Sequence, residues 1–342
     1  MMAEVTTSVA ALRWRDGLEL LDQRLLPARE SWLPVATAGA AARAIQALVV
    51  RGAPAIGLTA AYALASEARA DPELTHLRRA ARRLASSRPT GADLARAVQH
   101  ILRVIEEAPQ EQRFERALAA ARALHEADAA ACLAMGEHGV ALFHGGSVSL
   151  LTHCNAGALA TGGIGSALGI VRALHARGRL ARLYACEARP VLQGARLTAW
   201  EAVRDGIPCT LLADGAAASL LARGSVQGVV VGADRIAADG SVANKVGTYA
   251  LALAAARHAV PMVVAAPTTT FDLTCPTGDS IPIEQRGGEE VRRVRRARVA
   301  PEEVDVYNPA FDVTPPDLVT AIVSERGVAR PVNAVTVRGI AP

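Results

Sequence analysis

The chain has 342 residues, 51% of them hydrophobic, which is material for one large or two ordinary domains with a sizeable core and excludes a disordered protein. The net charge of +4 invites a nucleic-acid partner, but aromatics make up only 3% and the arginines are dispersed rather than striped, so that partner is excluded. Five scattered cysteines with no Cys-x-x-Cys fit a reducing compartment and argue against both a disulfide framework and a structural zinc site.

Charged residues (Glu4, Arg13, Arg15, Asp16) precede any long apolar run, so no secretory signal is read at the start of the chain. Residues 37–133 carry Ala, Leu, Arg and Glu at helical spacing, and the pattern continues to residue 139. Two stretches punctuate this helix-rich region: RGAPAIG (51–57) and SSRPTGADL (86–94), where Ser, Pro and Gly mark turns and a helix start.

Beyond about residue 145, short β-branched or aliphatic runs at 148–151, 183–186, 209–212, 229–231 and 262–265 alternate with helical patterns. Such runs predict a parallel sheet covered on both faces, a Rossmann-like doubly wound fold, in which ligands bind at the carboxyl ends of strands. The expected organisation is therefore α/β, with a helix-rich domain over 1–140 followed by a Rossmann-like catalytic domain over 141–342. The apolar stretch 249–267 contains Arg257, His258 and Pro261 and cannot span a bilayer, so the expectation is a soluble, cytoplasmic protein. The basic run RRVRRAR (292–298) reads as a solvated helix or strand edge. No internal repeat or low-complexity tail is present.

Polar residues collect at the strand ends. Cys154 sits between His153 and Asn155, ahead of a glycine-rich turn opening a helix, where terminal amides favour a thiolate; it reads as a base or nucleophile, or else as a small buried hydrophobe. Asp234 follows the most apolar strand, so burial would raise its pKa and suit it to general acid work; a salt bridge to Arg235 or an N-cap is the structural alternative. The run Gly162, Gly163, Ile164, Gly165 misses the G-x-G-x-x-G spacing of a dinucleotide site and is read as letting backbone amides approach a phosphate. Arg51 and Arg88, each held by rigid flanks, suit an anion.

The single lysine, Lys245, stands beside Asn244, one of four asparagines, in a chain where arginine has otherwise taken every cationic position. A compact ammonium on a flexible stem fits a narrow polar pocket that the wide guanidinium fork does not. Lys245 is therefore read as a ligand of one phosphate or hydroxyl oxygen.

Taken together, RGAPAIG (51–57), SRPT (87–90), THCNAGALATGG (152–163), EARPVLQGARLTAWE (187–201), GADRIAADGSVANKVGTY (232–249), PTTTFD (267–272), IPIEQR (281–286) and NPAFDVTP (308–315) resemble the methylthioribose-1-phosphate isomerase family. The wider family also holds ribose-1,5-bisphosphate isomerases and regulatory subunits of the exchange factor for eukaryotic initiation factor two. The resemblance implies a homodimer that uses no cofactor or metal and takes a sugar phosphate as its small-molecule partner in methionine salvage. It implies Cys154 and Asp234 as catalytic residues and Arg51, Gly52, Ala53, Arg88, Gln193, Asn244 and Lys245 as substrate-binding residues. Two alternatives stay open: isomerisation of a related pentose 1-phosphate (ribose 1,5-bisphosphate or 5-deoxyribose 1-phosphate), and a non-catalytic regulatory protein on the same fold. A dehydrogenase is the remaining class, distinguished by nicotinamide binding.

Overall fold

The computed structural model describes residues 5–88 and 92–342, so Pro89 and Thr90 of the SRPT motif lie outside the described residues. The chain separates into two compact units, one of Thr7–Leu133 with Gly157–Gly165, the other built mainly from Ala134–Ala156 and Ser166–Pro342.

The first unit opens on an antiparallel meander that helical spacing in the sequence does not announce: β1 (Leu12–Trp14), β2 (Leu18–Leu21) and β3 (Trp32–Val35). Helices follow: α1 (Ala38–Gln46), α2 (Ala53–Ala70), α3 (Leu74–Ala85), α4 (Ala92–Glu107) and α5 (Arg113–Val140, of which the part through Leu133 lies here). Thr37 starts α1 by accepting the Ala40 amide at 3.1 Å. The hub is α2, buried around most of its circumference because its side chains are mainly Ala, small enough for neighbouring helices to approach closely. Its turn into the helix needs a glycine: Gly52 has φ +96°, and a Cβ there would lie 2.6 Å from Ala160. Pro54 then occupies the first turn, where its missing N–H costs nothing.

In the second unit the strands are β4 (Val148–Thr152), β5 (Leu180–Cys186), β6 (Cys209–Leu212), β7 (Gly228–Val231), β8 (Arg235–Ala237), β9 (Val242–Lys245), β10 (Met262–Ala265), β11 (Phe271–Asp272), β12 (Arg293–Val294), β13 (Ala297–Arg298), β14 (Phe311–Thr314), β15 (Ala321–Ser324) and β16 (Gly327–Ala329). Between them run α6 (Ala167–Ala176), α7 (Ala199–Arg204), α8 (Ala217–Ala222) and α9 (Thr248–Arg257). The main sheet has the order β16-β15-β10-β7-β4-β5-β6 and is parallel throughout except for the antiparallel edge β16. All five apolar runs read from the sequence are strands of this sheet. The interior strands β7 and β10 are buried at every residue, as a sheet covered on both faces requires.

The chain moves outward from β4 through β5 to β6, then returns to β7 on the other side of β4. The order of the sheet reverses there, and the crevice above the carboxyl ends of β4 and β7 is where a doubly wound sheet takes its ligand. A smaller mixed sheet of order β11-β8-β9-β14 begins just after the end of β7. The basic run becomes the two-stranded hairpin β12–β13, with Arg293 and Arg298 both drawn to Glu289. Among the described residues, no helix is long and apolar enough to cross a membrane.

Candidate active site

Thr152 and His153 continue β4 in full burial, and the chain then turns at Cys154 with φ +63°, a left-handed conformation that costs a non-glycine residue about 1–2 kcal/mol. A buried network holds it. Thr198 donates its hydroxyl to the Cys154 carbonyl at 2.6 Å, and Asn155 donates its amide to Thr198 at 3.2 Å and to Glu201 at 2.8 Å. Glu201 is wholly buried and pairs with Arg172 at 2.8 Å, which also binds Asp205. Strain retained by an over-determined surround is a mark of functional sites.

Because Glu201 has no exposure, removing its partner strands a buried charge. Arg172→Leu is expected to lower unfolding free energy by about 3–5 kcal/mol in urea titration, with much smaller loss when Arg172→Leu is combined with Glu201→Leu.

The carboxyl end of β7 comes close to this turn, since a Cβ on Gly232 would lie 2.8 Å from that of Ala156. Two residues later, the Asp234 amide donates to Ala243 on β9 at 2.9 Å, setting Asp234 beside the strand that carries Asn244 and Lys245. Asp234 is exposed, contrary to the burial its place after β7 suggests: the strand's burial ends at Gly232 and the chain is already turning toward the smaller sheet. Arg235 pairs with Asp272 at 3.1 Å.

Lys245 is buried, 6% exposed, at the end of β9, with its carbonyl accepting from Thr248, whose hydroxyl in turn accepts from Asn244 at 3.0 Å. Burial holds the Lys245 ammonium below its ordinary pKa, opposed by the charges of Cys154, Glu290 and Asp234 and reinforced by Arg286. Cys154 and Asp234 thus act on the same cation, which places thiol, carboxyl and ammonium in one neighbourhood. Glu290 lies below its usual range: burial raises it, but hydrogen bonding and charge from Arg286, with Lys245 assisting, prevail. Asp312 caps the start of α9 by accepting from the Gly247 and Tyr249 amides, and is held above its usual range by burial against those two bonds. The Gly247 turn has φ +105°, and a Cβ there would lie 3.0 Å from the His153 ring, so glycine is required twice over.

Gln193 precedes a π-helical turn, Gly194–Thr198, whose last residue is the one that holds the Cys154 carbonyl. That turn is tight: a Cβ on Gly194 would fall 1.7 Å from the Cys186 carbonyl oxygen. The Gln193 side-chain oxygen is buried without a hydrogen-bond partner among the described residues, an acceptor waiting for a donor.

The remaining site residues of the sequence reading, Arg51, Gly52, Ala53 and Arg88, belong to the helical unit. Arg51 and Gly52 immediately precede α2 and Ala53 opens it. Arg88 lies in the segment leading to α4, which packs on α2 closely enough that a Cβ on Gly57 would lie 3.2 Å from the Asp93 carbonyl. The glycine run has a different use from the phosphate contact expected of it. The Gly162 amide donates to Asp128 at 2.6 Å and its carbonyl accepts from His125, while Cβ atoms at Gly162 and Gly163 would strike His125 and Ala129; these glycines exist to pack on α5. The helix-terminal amides expected to favour a Cys154 thiolate are likewise engaged, since Ser166 and Leu168 at the start of α6 donate to the Ala156 carbonyl. Lys245 is a cation whose charge interacts with Cys154.

A family model described as "Initiation factor 2 subunit family" matches residues 49–331. The chain belongs to this family. Within the initiation factor 2 subunit family it is 55% identical over 320 residues, 94% of this chain and 93% of the relative, to a methylthioribose-1-phosphate isomerase of Anaeromyxobacter sp. (strain K). It is 49% identical over 330 residues, 94% of this chain and 92% of the relative, to the protein of the same name from Pseudomonas aeruginosa strain PAO1. Among solved structures it resembles the 5-methylthioribose 1-phosphate isomerase of Pyrococcus horikoshii, with TM-score 0.93 and 38% identity over 99% of this chain and 98% of that one. It also resembles the translation initiation factor eIF-2B subunit delta from A. fulgidus, with TM-score 0.87 and 41% identity over 96% of this chain and 99% of that one.

Proposed function

We propose that this chain is an aldose-ketose isomerase converting 5-methylthioribose 1-phosphate to 5-methylthioribulose 1-phosphate in methionine salvage. The fold, with 41% identity, is also shared with a protein named as an initiation factor subunit. The observation that carries the reading is the 49–55% identity, over nearly the whole of both chains, to proteins named as that isomerase. The neighbourhood of Cys154, Asp234 and Lys245 supports it, because a regulatory scaffold has no need of a strained thiol beside a buried ammonium.

The chemistry follows from the substrate. With the anomeric oxygen esterified, the furanose cannot open unaided to a free aldehyde, so an acid must protonate the ring oxygen as its bond to C1 breaks. Asp234 takes that role; its exposure in the free protein means that the bound phosphosugar, rather than the apolar surroundings, must supply the environment that favours its protonated form. Cys154 moves the C2 proton, and the nearby Lys245 ammonium offsets the charge of a thiolate against that of the substrate phosphate. That pairing favours proton transfer over a hydride shift. Arg51, Gly52, Ala53, Arg88, Gln193, Asn244 and Lys245 bind the phosphosugar. The protein acts in the cytoplasm, a setting that suits its free cysteines, as a homodimer measurable by light scattering.

Incubation with 5-methylthioribose 1-phosphate, ribose 1,5-bisphosphate and 5-deoxyribose 1-phosphate, followed by carbon NMR, tests the substrate. A ketone from the first at the highest kcat/KM is expected. Preference for either of the others reassigns the group at C5, and binding of all three without turnover removes the enzymatic reading.

A further inference from the structure

Three consecutive strands of the main sheet end in residues that the isomerase chemistry does not use. His153 follows β4, Cys186 ends β5 and Asp214 follows β6, and one donor atom from each lies within 4.8 Å of the others. They are far apart in sequence, and the adjacency of β4, β5 and β6 alone brings them together.

Two of the three donors are oriented by a second partner. His153 is 3% exposed and its Nε2 sits 2.9 Å from the Val246 carbonyl, which can only accept, so Nε2 carries the proton and Nδ1 presents its lone pair. Nδ1 is 3.9 Å from the Asp214 carboxylate. The two Asp214 oxygens accept from the Ala188 and Arg189 amides, each at 2.8 Å, which fixes the carboxylate. A ring N–H bound to a carbonyl and a carboxylate bound to amides are the supports that metal ligands carry. All three residues line a cavity of about 310 Å³ whose other walls include Ala217, Ala250, Leu251 and Ala254.

We propose that His153 Nδ1, the Cys186 thiolate and the Asp214 carboxylate form a binding site for one divalent cation of the zinc class, its fourth position open to this cavity. Nitrogen, sulfur and oxygen donors together favour Zn²⁺, Co²⁺ or Cd²⁺ over Mg²⁺ or Ca²⁺, which take oxygen ligands. Ligand bonds of about 2.0–2.3 Å require the donors to close by roughly 1 Å. On binding, the Cys186 S–H bond breaks, its proton leaves to solvent and a sulfur–metal bond forms. Burial, with the Asp214 and Glu187 charges adding, pushes the Cys186 thiol up to about 12, so without a metal the sulfur keeps its proton.

Titration of the metal-stripped full-length protein with Co²⁺ tests the site. One equivalent per chain with a thiolate-to-cobalt charge-transfer band is expected. In Cys186→Ser the band should vanish and Zn²⁺ affinity fall at least about 10-fold, whereas Cys154→Ser and Cys209→Ser should keep both. A band that survives Cys186→Ser, or that disappears with Cys154→Ser instead, overturns the assignment. So does the absence of cobalt binding. Should Cys186→Ser fail to fold, anomalous diffraction from zinc-soaked crystals of the unaltered protein decides: a peak among the three donor atoms supports the site, and no peak there refutes it.

Discussion

Cys154→Ser and Asp234→Asn are each expected to unfold with the cooperativity and midpoint of the parent protein while losing at least about 10³-fold in kcat on 5-methylthioribose 1-phosphate. The fold should tolerate both. Serine occupies the left-handed position at Cys154 with the same branching, and the Thr198 bond that secures the turn goes to the backbone carbonyl, which the substitution leaves in place. Asp234 is exposed and its fixed contact to Ala243 is made by its own amide, so the asparagine keeps it. The loss should fall on kcat with little change in KM, because each group acts on protons in flight rather than on the bound phosphate. Turnover in deuterium oxide separates the two routes: solvent label in the product is expected from transfer through Cys154, whereas full retention of a C2 label would assign a hydride shift and leave Cys154 a different task. Parent-like activity in either variant would remove that residue from the chemistry.

The sequence discloses the main sheet because its strands are short, apolar and buried on both faces, and that pattern owes nothing to partners elsewhere in the chain. Cys154 and Asp234 stand out as well, since they follow two of those strands and the residue types are unusual. What escapes it depends on contacts between distant segments. The meander of Leu12–Trp14, Leu18–Leu21 and Trp32–Val35 is too short for an alternation to stand out, and β15 and β16 lie near the end of the chain, where neither their pairing nor their place beside β10 is written locally. The glycines at 162 and 163 look like a ligand loop because glycine permits close approach of any kind; only the neighbours, His125 and Ala129, reveal that a helix is what approaches. The buried network from Asn155 through Glu201 and Arg172 to Asp205 was equally hidden, its members being joined by tertiary packing and not by spacing. A signal was nonetheless present: arginine and glutamate on helices flanking a buried strand need partners, and a search for the mates of Arg172 could have found it.

Lys245→Met is expected to bind the phosphosugar at least about 10-fold more weakly, some 1.4 kcal/mol or more, yet to be no less stable than the parent protein. The two effects have one cause. Burial lowers the Lys245 pKa, which means that folding disfavours its charged form, and the attractions to Cys154, Glu290 and Asp234 do not fully offset this. The sign follows from proton counting: between the lowered folded value and the ordinary value of 10.5, the unfolded chain holds more protons than the folded one, so stability rises with pH across that window and the penalty is fully present below it. Methionine fills a similar volume without the charge and abolishes the pH dependence, while Glu290 keeps Arg286 and Asn308 as partners. Lys245→Arg divides charge from shape. It restores the cation but puts a rigid fork where a compact ammonium fits, so binding should stay impaired and, with a larger charged group forced into the same buried site, stability should fall. Urea unfolding of the three proteins at several pH values, alongside KM for each, reads both outcomes. Full activity in Lys245→Arg would show that the pocket asks only for positive charge, and a clear destabilisation of Lys245→Met would show that the ammonium earns its place by pairing and not by holding substrate.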